Sequence, residues 1–295
     1  MAARYRGRFA PSPSGPLHFG SLVAAVASYL DARHHEGEWL VRMEDLDRSR
    51  EKPGAADAIL RQLEVFGLHW DGSIIRQSTR DEAYAAAFEQ LQGTGLSYAC
   101  ACTRSEIRRI ALRGVEGPVY PGTCRGGHTT DREGRGIRLR TDDAGISFRD
   151  RIQGVVKQHL ESDIGDFIVR RAEGYYAYQL AVVVDDAWQE ITHVVRGADL
   201  LVSTPRQVYL QQLLELPIPV HAHVPLVLDG QGRKLSKSDA AHPVTADNPL
   251  ETLDAAMRFL GQPAPEAGSV REFWELAIPA WDLSGVPRPV ARRTQ

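Results

Sequence analysis

The run RFAPSPSGPLHFGS, Arg8 to Ser21, constrains the fold more than any other stretch of this chain. The prolines and glycine of PSPSGP stop any element that reaches them, because proline fixes φ and lacks the amide donor that helices and central strands need. Arg4 to Phe9, just before the turn, reads as a strand. A helix follows the turn and runs to about His35, with Ser21 as its cap and Gly37 suited to its C-terminal end. Leu22, Val23, Val26, Tyr29 and Leu30 give it one apolar stripe. Trp39, Val41 and Met43 then alternate as in a strand. A second helix, from Gly54 to Phe66, carries Ile59, Leu60, Leu63 and Phe66 on one side. Strand, helix, strand, helix in this order predicts an α/β fold with a parallel sheet and crossover helices.

From Cys100 to Arg171 the periodicity weakens and Gly and Arg are frequent, which reads as an insertion into the sheet domain. Regular signals resume with LAVVVDD, expected to be a short buried strand, and with ITHVVRG. A helix is expected from Pro205 to Leu216, capped by Thr204 or Ser203. VPLVLD reads as a strand ended by the turn DGQG. Beyond it, Asn248 caps and Pro249 opens one more helix. The expected division is a first half of the sheet domain over 1–99, an insertion over 100–172, a second half over 173–240 and a short helical tail over 241–295.

Composition adds exclusions. A formal net charge of -3 argues against a polyanion binder that works by bulk charge, and leaves local basic patches open. The longest apolar-rich run, LVAAVASYL, is far short of the ~20 residues a membrane span needs. The start, MAARYRGRFAPS, lacks the apolar stretch of a secretion signal. A cytoplasmic protein with no membrane partner is expected.

Three clusters carry chemistry. At HFGS a helix begins directly after a tight turn, so its unpaired amides and positive dipole end make an anion site, with His18 at the entrance and Gly15 and Gly20 allowing close approach. At GRKLSKSD, Gly232 to Asp239, Lys234 and Lys237 flank small hydroxyl residues after a strand, which suits neutralisation of phosphate charge. Cys100, Cys102 and Cys124 fall in one window; three thiols cannot all pair, and such crowding favours zinc. The fourth ligand stays open between Tyr120, His128 and water. The same inserted segment is rich in arginine, Arg104, Arg108, Arg109 and Arg113 and then Arg125, Arg132, Arg135, Arg138 and Arg140. It is read either as an RNA-facing surface or as a solvated face.

Taken together, HFGS and KLSKS resemble the HIGH and KMSKS signatures of class I aminoacyl-tRNA synthetases, in the right order at the two ends of the domain. RFAPSPSGPLHFGS, RMEDLD (Arg42 to Asp47), YQLAVVVDD (Tyr178 to Asp186) and VVRGADLL are similar to the glutamyl and glutaminyl branch, so the resemblance covers roughly residues 4 to 240. Phe19 and Ser21 depart from HIGH, and Leu235 from KMSKS. The resemblance implies a Rossmann-type catalytic domain with a zinc-containing insertion. It implies that Arg8, Arg196 and Tyr178 hold the side-chain carboxylate of L-glutamate, with Phe9, Ala10 and Pro11 lining the site, and that Glu44 takes the α-ammonium group near Ser12. His18, Gly20, Ser21, Lys234 and Lys237 would bind ATP with its Mg²⁺, His18 and Lys237 as the catalytic pair. YPGTC repeats the family's Tyr-x-x-x-Cys, which favours Tyr120 as fourth zinc ligand, His128 being the runner-up on generic chemistry.

Only 56 residues follow Asp239, too few for an anticodon-binding domain of roughly 100 residues or more. This shortened layout, together with HFGS, CxC…Y…C and YQLAVVVDD, resembles the glutamyl-queuosine tRNA(Asp) synthetases. That resemblance implies activation of glutamate without tRNA and transfer onto queuosine in tRNA(Asp); separately, a monomer is expected. A minimal synthetase that charges an acceptor end, a non-catalytic regulator that binds glutamate or adenylate, and a nucleotidyltransferase of the same superfamily are the alternatives.

Overall fold

A computed structural model of the chain describes residues 4–127, 136–228, 244 and 247–293. The chain opens with β1 (Arg6–Phe9), α1 (Phe19–His34), β2 (Glu38–Met43), α2 (Ala55–Val65) and β3 (Ile75–Arg76). The three strands pair in parallel with β2 in the middle, as the alternating order predicts. The helix α3 (Asp81–Gly93) leads to β4 (Ser97–Cys100), α4 (Arg104–Ile110) and β5 (Gly136–Leu139). Next come β6 (Gly145–Asp150), β7 (Gly154–His159), the single turn α5 (Leu160–Asp163) and β8 (Phe167–Arg170). The second half contains α6 (Tyr178–Trp188), β9 (His193–Gly197), α7 (Thr204–Leu213), β10 (Val220–Val224) and β11 (Leu226–Leu228). It closes with α8 (Pro249–Phe259), α9 (Val270–Ala280) and β12 (Ala291–Arg293).

A second sheet has the order β7-β6-β10-β9, with β10 parallel to both β9 and β6. The two parallel groups meet edge to edge. The Thr192 amide, just before β9, donates to the Arg6 carbonyl at 3.0 Å, and the Arg6 amide donates to Thr192 Oγ1 at 2.8 Å. The chain therefore runs outward from β1 to one side and from β9 to the other. In such sheets the crevice at the strands' carboxyl ends, where the direction of winding reverses, is where ligands bind. β5 pairs antiparallel with β4, which begins at Ser97 just before the expected insertion, and with β8 as a small separate sheet, whereas the β6–β7 hairpin extends the large one.

Several local expectations need correction. YQLAVVVDD is the helix α6, not a strand. A short unbroken apolar run carries no period that separates a buried strand from a buried helix, and Leu180, Ala181, Val182 and Val183 are all buried. The cap of α1 is His18, whose Nδ1 accepts the Ser21 amide, rather than Ser21. That helix is buried all round, Ala25, Ala27 and Asp31 included, because the sheet covers one side while α8 and α9 cover another. At its end the left-handed residue is Glu36 (φ 53), not Gly37. Gly37 is required instead by a close approach, since a Cβ there would lie 2.5 Å from the Tyr5 carbonyl oxygen. Asn248 does cap α8, accepting the Glu251 amide, and Pro249 opens it.

The C-terminal helices form part of the main core. Phe273, Trp274, Trp281 and Met257 pack with Leu22, Leu30, Trp39 and Phe66 in one cluster. Both tryptophans also anchor by their indole N–H, Trp274 to the Phe66 carbonyl at 2.9 Å and Trp281 to Asp31 Oδ1 at 3.1 Å.

Candidate active site

The turn after β1, the entrance of α1, the end of β2, the start of α6 and the ends of β9 and β10 enclose a cavity of about 410 Å³. Its walls include Arg8, Phe9, Ala10, Pro11, Ser12, His18, Gly20, Ser21, Glu44, Tyr178 and Arg196. Every site residue named from the sequence for glutamate or ATP lines this one space except Lys234 and Lys237, which lie outside the described residues. A second cavity of about 530 Å³ adjoins it, sharing Ser12, Glu44 and Tyr178, and extends past Asp45, Asp47, Arg171 and Tyr176.

Buried arginines of two kinds stand at this site. On the β1–β2 side, Arg8 grips Asp186 with two hydrogen bonds, Nε to Oδ1 and Nη2 to Oδ2, both 3.2 Å. Arg42, fully buried, donates from Nη2 to Asp186 Oδ1 at 2.8 Å and from Nη1 to Gln189 Oε1 at 2.6 Å. Burial alone would raise the pKa of Asp186, but the guanidinium groups of Arg8 and Arg42 outweigh it and hold the carboxyl at about 2. The neighbouring Asp185, also fully buried, accepts from Arg80 Nε at 2.5 Å, Gln77 Nε2 at 2.8 Å and the Tyr84 hydroxyl at 2.8 Å. This half of the site balances its own charge.

Arg196, on β9, has no such balance. Its Nη2 donates to Thr204 Oγ1 at 2.9 Å and to Gln207 Oε1 at 2.7 Å, and its Nε donates to His223 Nε2 at 3.1 Å. All three partners are neutral acceptors. Its Nη1 is buried and makes no hydrogen bond among the described residues. Burial accordingly lowers the pKa of this guanidinium. A buried cation left in this state is costly until an anion reaches it.

Around Arg196 stand the complementary groups. Burial, with Glu44 nearby, pushes the Tyr178 phenol up to about 12, so it remains a neutral donor. Glu44 is nearly buried, and its nearest cation, Arg42 Nη2, is 3.5 Å away. Burial raises its pKa, only partly offset by Arg42 and Arg8. An ammonium group placed beside Glu44 would return it to the ionised form. At the entrance of α1, His18 Nδ1 accepts the Ser21 amide at 3.2 Å, so the neutral ring carries its proton on Nε2, 3.0 Å from Ser21 Oγ. Gly20 lets the ring fold there, since a Cβ would lie 3.2 Å from two of its atoms.

The site needs residues that sequence reasoning left without a role. Arg42 and Asp186 fell inside quoted motifs, and the visible signal was a charge within an apolar strand and an Asp pair ending an apolar run. His223 and Asp150 had no signal at all.

Away from this cavity, the sulfurs of Cys100, Cys102 and Cys124 all lie within 4.8 Å of one another. The Tyr120 hydroxyl is 3.3 Å from Cys100 Sγ and 3.8 Å from Cys102 Sγ, and Cys102 Sγ is 3.5 Å from Cys124 Sγ. A tetrahedral zinc with ~2.3 Å bonds sets its sulfurs ~3.8 Å apart, so these four donors fit one. Arg138 lies over the Tyr120 ring at 3.8 Å and donates from Nε to Cys100 Sγ at 3.2 Å, a cation suited to an anionic donor set. His128 lies outside the described residues.

Comparison with known proteins bears on what this geometry serves. The chain matches the family described as tRNA synthetases class I (E and Q), catalytic domain, over residues 4–260. It is 55% identical over 293 residues to a Glutamyl-Q tRNA(Asp) synthetase from Dechloromonas aromatica, covering 98% of this chain and 97% of that protein. A Glutamyl-Q tRNA(Asp) synthetase from Pseudomonas aeruginosa is 54% identical over 292 residues, with the same coverage of 98% and 97%. Among solved structures, a glutamate tRNA ligase from Elizabethkingia meningosepticum in complex with its amino acid superposes with a TM-score of 0.80 at 26% identity, covering 99% of this chain and 67% of the other. The glutamate-tRNA synthetase of Elizabethkingia anophelis gives a TM-score of 0.83 at 26% identity, covering 99% and 68%. The chain belongs to the class I tRNA synthetases (E and Q), a family of ATP-dependent ligases, and the two curated relatives compared with it carry the name glutamyl-Q tRNA(Asp) synthetase.

Proposed function

We propose that the protein activates L-glutamate with ATP in the absence of RNA and transfers the glutamyl group to the queuosine of tRNA(Asp). The observation that carries the first step is Arg196, a buried guanidinium with neutral partners only and an unpaired Nη1 in the wall of the cavity. It requires an anionic ligand, and a side-chain carboxylate held by Arg196 and the Tyr178 hydroxyl satisfies it. Arg8 lines the same cavity, with two donors already engaged by Asp186. Glu44 takes the α-ammonium group near Ser12, and Phe9, Ala10 and Pro11 line the space between.

With the amino acid fixed at both ends, its α-carboxylate meets the α-phosphate of ATP. An oxygen of that carboxylate attacks phosphorus, the bond to pyrophosphate breaks and glutamyl-adenylate forms. The entrance of α1, with His18, Gly20 and Ser21, receives the phosphates on amides and a positive dipole end. Lys234 and Lys237 neutralise the departing pyrophosphate together with the Mg²⁺ that accompanies ATP. A hydroxyl of the queuosine cyclopentenediol then attacks the acyl carbon and AMP leaves. No protein nucleophile is needed, because positioning and charge stabilisation supply the rate.

The acceptor is supported by relatives that carry this name at more than half identity over nearly their whole length. Arg104, Arg108, Arg109 and Arg113 are exposed and have no ion pair among the described residues, which supports an RNA-facing role for residues 100–172. Zinc held by Cys100, Cys102, Tyr120 and Cys124 would cross-link this unit. No helix among the described residues is long and apolar enough to cross a membrane, and we place the reaction in the cytoplasm, carried out by a monomer.

Labelled glutamate and ATP, offered with tRNA(Asp) with and without queuosine and with tRNA(Glu), test the acceptor. Label on queuosine-containing tRNA(Asp) alone is expected. Label on tRNA(Glu) would make this a minimal glutamyl-tRNA synthetase instead.

A further inference from the structure

Behind Arg196 lies a buried chain of hydrogen bonds that makes no contact with the cavity's ligand space. His223 on β10 is fully buried, with Nε2 3.1 Å from Arg196 Nε and Nδ1 2.6 Å from Asp150 Oδ2 at the end of β6. An arginine Nε–H can only donate, so Nε2 of His223 must be the accepting, unprotonated nitrogen. The proton of the neutral ring therefore sits on Nδ1 and is given to Asp150. The same Asp150 accepts amides from Ile152 at 3.0 Å, Gln153 at 2.8 Å and His223 itself at 3.2 Å. Burial would raise the pKa of Asp150, but the His223 contact and the amides outweigh it and keep it an anion. Burial likewise lowers the pKa of His223 to about 4, with Arg196 opposing and Asp150 favouring its charge, so the ring stays neutral. His221, the other ring stacked on it, is also buried and also pushed down.

We infer that Asp150 and His223 are positioning residues for the amino-acid site, setting the ring tautomer that aims Arg196 at its carboxylate ligand. The inference rests on the reading of Arg196 as the glutamate-binding residue. Its logic is electrostatic. A carboxylate in direct contact with Arg196 would orient it equally well, as Asp186 orients Arg8, but would neutralise the charge that selects the ligand. An imidazole between the two keeps the orienting anion one ring away from the guanidinium, where its attraction is weaker. Thr204 and Gln207 complete the neutral cradle. The arrangement draws residues from β6, β9 and β10 and from α7, so it is a product of the sheet topology, not of any local motif.

Two measurements test this. Nitrogen-15 NMR of the histidine rings in the ligand-free wild type should show His223 as the neutral Nδ1–H tautomer; an Nε2–H or doubly protonated ring at neutral pH would overturn the inference. Asp150→Asn keeps an oxygen for the Ile152 and Gln153 amides but turns a donor toward Nδ1, which favours the wrong tautomer and sets two N–H groups against each other. Its KM for glutamate in pyrophosphate exchange should rise about 10- to 100-fold, the cost of one charge-assisted hydrogen bond, while KM for ATP stays within about twofold. His223→Gln, which returns an acceptor near Nε2, should recover most of the glutamate affinity lost in His223→Phe. An Asp150→Asn enzyme with wild-type KM for glutamate, or one that loses ATP and glutamate affinity equally, would overturn the inference. If the wild type shows no glutamate-dependent exchange, it is the reading of the site that fails, a result separate from the tautomer.

Discussion

The two walls of the cavity hold buried arginines in opposite conditions. On the β1–β2 wall, Arg8 and Arg42 share Asp186, and Arg42 is within 3.8 Å of Asp185 as well. On the β9–β10 wall, Arg196 meets only a hydroxyl, an amide oxygen and an imidazole. The same side chain thus does two jobs. Where the protein supplies the counter-charge, the pair holds the two halves of the domain together, since Asp186 on α6 ties strands β1 and β2 to the second half. Where the counter-charge is missing, the ligand must bring it.

That contrast can be broken from either side. The largest effect is expected for Asp186→Ala, which strands two buried guanidinium groups and should cost about 3–5 kcal/mol of stability, read by denaturant unfolding. Next is Arg196→Met, with the opposite profile: glutamate affinity should fall at least about 100-fold, while unfolding stability stays level or rises because an unpaired buried cation is gone. If Arg196→Met destabilised the ligand-free protein as much as Asp186→Ala, the two walls would not differ as described. Glu44→Gln should weaken glutamate about 10- to 100-fold through loss of a charged partner for the ammonium. Because burial raises the pKa of Glu44, its ionised form penalises the empty protein above its usual carboxylate range. The glutamine variant should therefore be the more stable protein at neutral pH without ligand, and the gain should vanish in acid.

Acid separates the walls further. Asp186 titrates at about 2 in the folded protein, below its usual 3.8, so its contribution is complete above the usual value and disappears as pH falls toward about 2. Acid unfolding of Asp186→Asn should lack that component. The smallest effect is expected at Gly20→Ala, where the added Cβ presses on His18; KM for ATP should rise a few-fold with glutamate affinity unchanged.

What the sequence disclosed divides along the same line. The turn after Phe9, the cap at Asn248 and the alternation of Trp39, Val41 and Met43 act through neighbours in the chain, so local pattern was enough to find them. The cavity residues were legible because HFGS, RMEDLD and YQLAVVVDD mark a family, even though LAVVVDD was assigned the wrong element. Nothing local distinguishes Arg196 from Arg42, one unbalanced and one balanced. That difference depends on Asp186 reaching β1 from α6, and on Asp150 and His223 meeting across β6 and β10, contacts set only by the folded topology. The role of the tail was equally hidden, because Trp274 and Trp281 find their partners far back in the chain, at the Phe66 carbonyl after α2 and at Asp31 of α1.

The central claim is that this cavity admits a free amino acid with a side-chain carboxylate and joins it to ATP unaided. ATP–pyrophosphate exchange with purified protein and no RNA, comparing glutamate with glutamine, tests it most directly. Exchange is expected with glutamate and essentially none with glutamine, because only the carboxylate answers the open charge of Arg196. Equal exchange with glutamine, or none with glutamate until RNA is added, would contradict it.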